Sequence, residues 1–122
     1  MEGLIIVGHG SDLPQYARVI EYHRERVEKI GMFKEVKIAF INGEPKIEEV
    51  LKSMKSEKVF IVPFFMSYGV HTTKDIPEVV KALKSEKEIV ICEPVGSDEL
   101  VTFAILNRVL ASMNQCSSCK QL

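Results

Sequence analysis

Residues 4–11 read Leu4-Ile5-Ile6-Val7-Gly8-His9-Gly10-Ser11. A continuous apolar run that stops at a glycine is the pattern of a short strand buried on both faces, followed by a tight turn. The pattern returns at Val36 to Ile41, Val59 to Phe65 and Ile89 to Cys92. Between these runs the period becomes helical. Ile47, Val50, Leu51 and Met54 fall at i, i+3, i+4 and i+7, and Ile76, Val79, Val80 and Leu83 repeat the spacing. A longer helix from Pro14 to Ile30 carries Tyr16, Val19, Ile20, His23, Val27 and Ile30 on one stripe. Ser11 or Asp12 is its expected cap, Pro14 suits its first turn, and Gly31 ends it. A last helix is expected from about Asp98 to Met113.

Strict βα alternation predicts an α/β fold: one doubly wound, four-stranded parallel sheet with helices on both faces and right-handed crossovers. The economical strand order is 2-1-3-4, which puts the switch point between strands 1 and 3. Residues 1–113 read as a single domain, and 114–122 as a loose polar tail with a Cys-x-x-Cys. The last helix is unusual. Leu100, Val101, Phe103, Ala104, Ile105, Leu106, Val109 and Leu110 leave it little polar surface, which marks a helix buried on more than one face. In so small a chain that predicts a subunit interface.

With 122 residues, a second domain has no room. Sixteen basic residues against seventeen acidic ones give a net charge of −1, not the basic excess of a nucleic-acid binder. No apolar run approaches the roughly 18 residues of a membrane helix, and Met1-Glu2-Gly3 leads into a strand without a signal peptide. Three cysteines are too few for a disulfide scaffold, so a reducing cytoplasm is the expected home.

Ligands of open α/β sheets bind beyond the carboxyl ends of the strands, at the switch point. Gly8-His9-Gly10-Ser11 follows strand 1, and Met66-Ser67-Tyr68-Gly69-Val70-His71-Thr72-Thr73 follows strand 3. Two of the three histidines thus fall on neighbouring loops. The flanking glycines can serve a turn at positive φ, and they also clear space around the His9 imidazole. His23, on the apolar stripe of helix 1, reads instead as a half-buried core histidine. Imidazole ligates divalent Co, Ni, Fe or Zn and accepts a proton near neutrality, so two histidines suit an open site where a metal is held briefly and passed on. Rival sites lack their residues. There is no Ser/Thr-rich flavin phosphate loop, no aspartate at the end of strand 3 as in receiver domains, no Arg before the His-Gly as in histidine phosphatases, and no Walker loop or GxGxxG.

Three segments together resemble the short archaeal form of sirohydrochlorin cobaltochelatase, in the chelatase superfamily with ferrochelatase. They are Leu4 to Ser11, Val62-Pro63-Phe64-Phe65 through Gly69-Val70-His71-Thr72-Thr73-Lys74-Asp75-Ile76-Pro77, and Glu93-Pro94-Val95-Gly96. The resemblance implies a chelatase-like fold and insertion of Co²⁺ into sirohydrochlorin on the way to cobalamin. Ni²⁺, toward a nickel tetrapyrrole, or Fe²⁺ is the alternative ion, the ion is a substrate, and no organic cofactor is implied. A non-catalytic carrier of cobalt, nickel or the tetrapyrrole is the rival reading. His9 and His71 are then the catalytic and metal-binding pair. Gly10, Ser11, Glu44, Phe65, Met66, Ser67, Tyr68, Gly69, Val70 and Thr72 are the implied substrate-binding residues, with Phe64, Phe65, Met66 and Tyr68 as an apolar platform. Basic side chains should rim the cleft to meet the carboxylates of sirohydrochlorin, with Lys74 nearest the motif and Arg18, Lys46 and Lys81 as further candidates. The family's glutamate after strand 2 has its counterpart in Glu44, at a displaced spacing. Long-form relatives carry Met-x-Cys-x-x-Cys at an iron–sulfur cluster. Here Met113-Asn114-Gln115-Cys116-Ser117-Ser118-Cys119 has one residue too many, so a reduced tail is favoured over a cluster on Cys116 and Cys119. Longer relatives hold two such domains in one chain. A homodimer is therefore expected, with a second copy closing the cleft.

Overall fold

The computed structural model describes residues 2–10, 14–66, 74–83 and 86–113. Its strands are β1 (Gly3–Gly10), β2 (Glu35–Asn42), β3 (Lys58–Pro63) and β4 (Glu88–Ile91). Its helices are α1 (Pro14–Ile30), α2 (Ile47–Ser53), α3 (Ile76–Leu83) and α4 (Glu99–Met113), with a short 3-10 turn at Val95–Ser97 before α4. The sheet is wholly parallel in the expected order β2-β1-β3-β4.

The apolar runs form strands because they can be buried on two sides. Leu4, Ile5, Ile6 and Val7 are all inaccessible or nearly so. Ile5 and Val7 pack with Val59, Ile61 and the α2 residues Ile47, Val50 and Leu51, while α3 adds Ile76. Leu4 and Ile6 point the other way, toward Ile20 of α1 and Val36 and Phe40 of β2. The two faces are unequal. On the α2–α3 face the β1 and β3 residues Ile5, Val7, Val59 and Ile61 are wholly inaccessible, whereas beside α1 the β3 residues Phe60 and Val62, with Phe64 just beyond, are only half-buried.

Three expectations change. β3 ends at Pro63, before Phe64 and Phe65, and the Phe64 N–H instead reaches the Val7 carbonyl at 2.7 Å. On α1, Ile20 alone is buried; Tyr16 and Ile30 lie in the first and last turns, past the edge of the core. His23 is exposed and not a core histidine, because the sheet half that it faces is uncovered; its ring centroid lies 5.5 Å from that of Phe64.

The amino end of the sheet is fastened by polar groups. The Glu35 carboxylate accepts from the backbone N–H groups of Lys55 and Ser56 and from the Ser56 hydroxyl at 2.7 Å. Burial raises the Glu35 pKa, but these three donors outweigh it and hold the carboxyl below its ordinary range. The Lys87 ammonium donates to the carbonyls of Met54 and Ser56, tying the start of β4 to the end of α2.

Candidate functional site

At the carboxyl edge β1 ends in Gly8-His9-Gly10, and the His9 side chain is exposed there. The two glycines are needed for close approach and not for positive φ, which among the described glycines belongs to Gly31 and Gly43. A Cβ on Gly8 would meet Ile20 Cδ1 and the Phe40 ring at 3.2 Å, and one on Gly10 would sit 2.8 Å from the Asn42 carbonyl. Helix α1 and strand β2 therefore close tightly on the end of β1, and His9 between the glycines is left facing outward.

What holds the imidazole comes from the segment just past β3. His9 stacks on Phe65, with ring centroids 4.0 Å apart and planes 27° from parallel. Phe65 is itself buried, 4% exposed, in the α2–α3 core. The face of the imidazole is thus seated on a fixed ring, which restricts its rotamers before any ligand arrives. This stack joins the ends of β1 and β3 at the switch point.

A second fastening comes from the segment after β4. The Gly96 N–H donates to the Phe65 carbonyl at 2.9 Å. A Cβ on Gly96 would lie 1.8 Å from the Met66 carbonyl oxygen, an impossible distance. Only glycine lets Glu93-Pro94-Val95-Gly96 lie against the backbone of Phe65 and Met66. In the sequence this stretch carries a resemblance but no reason for it; the close approach supplies the reason.

The other expected site residues divide into two groups. Gly10 pairs with Asn42 in the β1–β2 register, so Glu44, exposed two residues further along, belongs to the same edge as His9. Its loop turns through Gly43 at φ +131° and a cis Glu44–Pro45 peptide. Met66 is exposed beside this edge, whereas Phe65 supports His9 from beneath. Ser11, Ser67, Tyr68, Gly69, Val70, His71 and Thr72 lie outside the described residues, as do Asp12, Cys116 and Cys119. Among the basic candidates, Lys46 precedes α2 and Lys74 precedes α3, both exposed at the carboxyl edge, and Arg18 lies early in α1. Lys81 is in the last turn of α3, and in a βα unit that turn lies toward the amino edge, away from His9.

Among the described residues no three of His, Cys, Asp and Glu gather into a metal-holding group. Burial pushes the Cys92 thiol up from its ordinary pKa, which keeps it protonated and a poor ligand at neutral pH. Among the described residues, the end of β1 offers one exposed imidazole on a rigid seat: a ligand position for a divalent ion, or a proton acceptor.

No described helix is long and apolar enough to cross a membrane. The family model CbiX matches residues 3–112. A sirohydrochlorin cobaltochelatase of Methanopyrus kandleri is 28% identical, over 94% of this chain and 99% of its own. Another, of Sulfolobus acidocaldarius, is 30% identical over 83% of this chain and 84% of its own. In fold, the sirohydrochlorin chelatase SirB of Bacillus subtilis subspecies spizizenii, solved in complex with cobalt, superposes with a TM-score of 0.78 at 24% identity. The match covers 90% of this chain and 50% of that one.

Proposed function

This chain belongs to the CbiX family, and on that premise we propose that it is a sirohydrochlorin metal chelatase whose metal substrate is Co²⁺. The observation that carries the reading is the exposed His9 imidazole, stacked on buried Phe65 at the carboxyl edge of β1.

Metallation replaces two pyrrole protons with one divalent ion. Each N–H bond breaks heterolytically, its electron pair stays on nitrogen to bind the metal, and the proton leaves. A neutral imidazole can take such a proton as imidazolium and return it to water. It can also hold one position of the incoming ion and leave the others for the ring nitrogens. His9 is assigned these tasks together with His71. The fixed seat on Phe65 keeps the imidazole aimed while both exchanges occur. Gly10, Ser11, Glu44 and Met66 to Val70 with Thr72 line the substrate, and Lys46 and Lys74 meet its carboxylates. The product is a cobalt tetrapyrrole for cobalamin synthesis in the cytoplasm, and a second copy of the chain closes the cleft.

The test is spectroscopic. Mixing enzyme, Co²⁺ and sirohydrochlorin should change the visible spectrum of the tetrapyrrole faster than the uncatalysed reaction does. His9→Ala should lower that rate about 100-fold, the lower end of what a positioned proton acceptor contributes. Wild-type rates in both His9→Ala and His71→Ala would overturn the site, and stoichiometric binding without acceleration would make the protein a carrier. Competition among Co²⁺, Ni²⁺ and Fe²⁺ in the same assay ranks the ions.

A further inference from the structure

Tyr16 belongs to the stripe of α1 that faces the sheet, yet it is 63% exposed, whereas Ile20, four residues on, is 1% exposed. The course of the helix explains the contrast. β1 and β2 are parallel, so α1 between them must run back from the carboxyl edge, and its first turn stands at that edge. Ile20 packs where β1 reaches Gly8; a Cβ added there would meet Ile20 Cδ1 at 3.2 Å. At the ordinary helical rise, Tyr16 stands about 6 Å further toward the carboxyl edge. Two strand residues cover about the same distance, so Tyr16 is level with Gly10, one residue past His9. Helical side chains also lean toward the amino end of their helix, which here carries the ring beyond the sheet.

The flank is fixed by His23, seven residues on and therefore on the same side of α1. The His23 ring lies 5.5 Å from that of Phe64, just past β3. Tyr16 is thus on the side of the β1–β3 switch point. The other flank of α1 borders the β2 edge, where Arg24 is paired with Glu21 and Glu28.

The phenol is unengaged. The Tyr22 hydroxyl accepts a hydrogen bond from Arg26, but none of the described residues bonds the Tyr16 hydroxyl. Tyr16 therefore offers an apolar ring face and a neutral donor at the edge that carries His9. Side chains alternate along β1, so His9 lies on the α2–α3 side with Val7 and Phe65, and Gly10 faces α1. An ion held by His9 does not reach α1. A wide, flat macrocycle centred over His9 does, because its rim crosses Gly10, where no side chain obstructs it. The one cation in the first two turns of α1 is Arg18, which lies on the opposite side of the helix from Ile20. A carboxylate brought to this side of the edge meets Tyr16.

We propose that Tyr16 is a substrate-binding residue: its ring walls the α1 side of the cleft, and its hydroxyl donates a hydrogen bond to a rim carboxylate of the tetrapyrrole. This rests on the chelatase reading and adds to it a neutral contact, across the strand end from Lys46 and Lys74.

The experiment titrates metal-free sirohydrochlorin, followed by its visible absorbance, into the full wild-type chain, Tyr16→Phe and Tyr16→Ala, and then measures Co²⁺ insertion by each. Tyr16→Phe keeps the ring and loses the donor. Its Kd and KM for sirohydrochlorin should rise roughly 10-fold, the lower end for a hydrogen bond to a charged group. Tyr16→Ala loses the ring as well, for roughly a further 5-fold. The loss should fall on KM for sirohydrochlorin, with KM for Co²⁺ at its wild-type value. Tyr16→Phe removes only an exposed hydroxyl and should melt with wild type, so the test stands even where Tyr16→Ala fails to fold. Wild-type Kd for sirohydrochlorin in Tyr16→Phe overturns the hydrogen bond. A loss shared equally between sirohydrochlorin and Co²⁺, with a lowered melting temperature, overturns the assignment by making Tyr16 structural. A wild-type chain that does not bind sirohydrochlorin overturns the chelatase reading and this residue's role with it, a result seen before any variant is made.

Discussion

Strand β1 and helix α4 are both nearly unbroken apolar stretches, yet they meet opposite fates. Leu4 to Val7 are 5% exposed or less, while the large apolar residues of α4, Val101 apart, stand more than half exposed. The difference does not lie in composition. β1 is central, so neighbours on both edges and both faces are supplied by its own chain. α4 follows the last strand, and no further element of the described chain is left to lie across it. An apolar run therefore states how much burial a segment requires. Whether one chain meets the requirement depends on where the segment falls in the topology.

The sharpest way to break this comparison is to truncate one residue of each kind. Ile5→Ala leaves a cavity in the α2–α3 core and should cost about 3–4 kcal/mol of folding stability. Denaturant titrations should show that loss unchanged from low to high protein concentration. Leu110→Ala should leave stability in dilute solution within about 0.5 kcal/mol of wild type, and its deficit should emerge only as concentration rises. A concentration-independent loss of several kcal/mol in Leu110→Ala would mean that α4 is buried in its own chain.

A smaller effect is expected where the two regions meet. Gly96 fastens the segment that launches α4 onto the loop that carries the site. Gly96→Ala must push the Met66 carbonyl aside, since the new Cβ would otherwise lie 1.8 Å from it. Displacements of about 1 Å at a site can cost 100-fold in rate, so chelatase activity should fall by up to about that factor while β1 and its core stay intact. Near-wild-type activity with wild-type thermal stability would show that the fastening is dispensable.

The strand order, the two-faced burial of β1 and the placement of His9 follow from periodicity, because apolar period and turn glycines are local signals that the sheet obeys. α1 coincides with its predicted bounds, Pro14 to Ile30, for the same reason. Other features depend on pairs of residues far apart in the chain. Phe65 reads as part of an open platform, yet it is the seat of His9, and only the β1–β3 pairing brings those rings together. Gly96 has no local signature of contact with Met66. His23 falls on the stripe of α1, but the uncovered half of the sheet leaves it exposed. Pattern tells which faces want burial; it does not tell which partner is missing.

The mildest test concerns the amino end of the sheet, remote from both the site and α4, and asks whether β1's surroundings are held by more than apolar packing. Glu35 of β2 accepts from the Lys55 and Ser56 N–H groups and the Ser56 hydroxyl, and its carboxyl pKa lies below the ordinary value. A group whose pKa is lowered on folding stabilises the fold above its unfolded pKa, and that contribution disappears as pH falls through the folded value. Glu35→Gln should therefore cost about 1 kcal/mol at pH 7. The gap between variant and wild type should narrow as pH drops below the ordinary carboxylate range, where Glu35 itself is protonated. Denaturant midpoints of the two chains from pH 7 to pH 3 measure this directly. A gap that stays constant across that range would show that the charge on the Glu35 carboxylate contributes nothing to holding this end of the sheet.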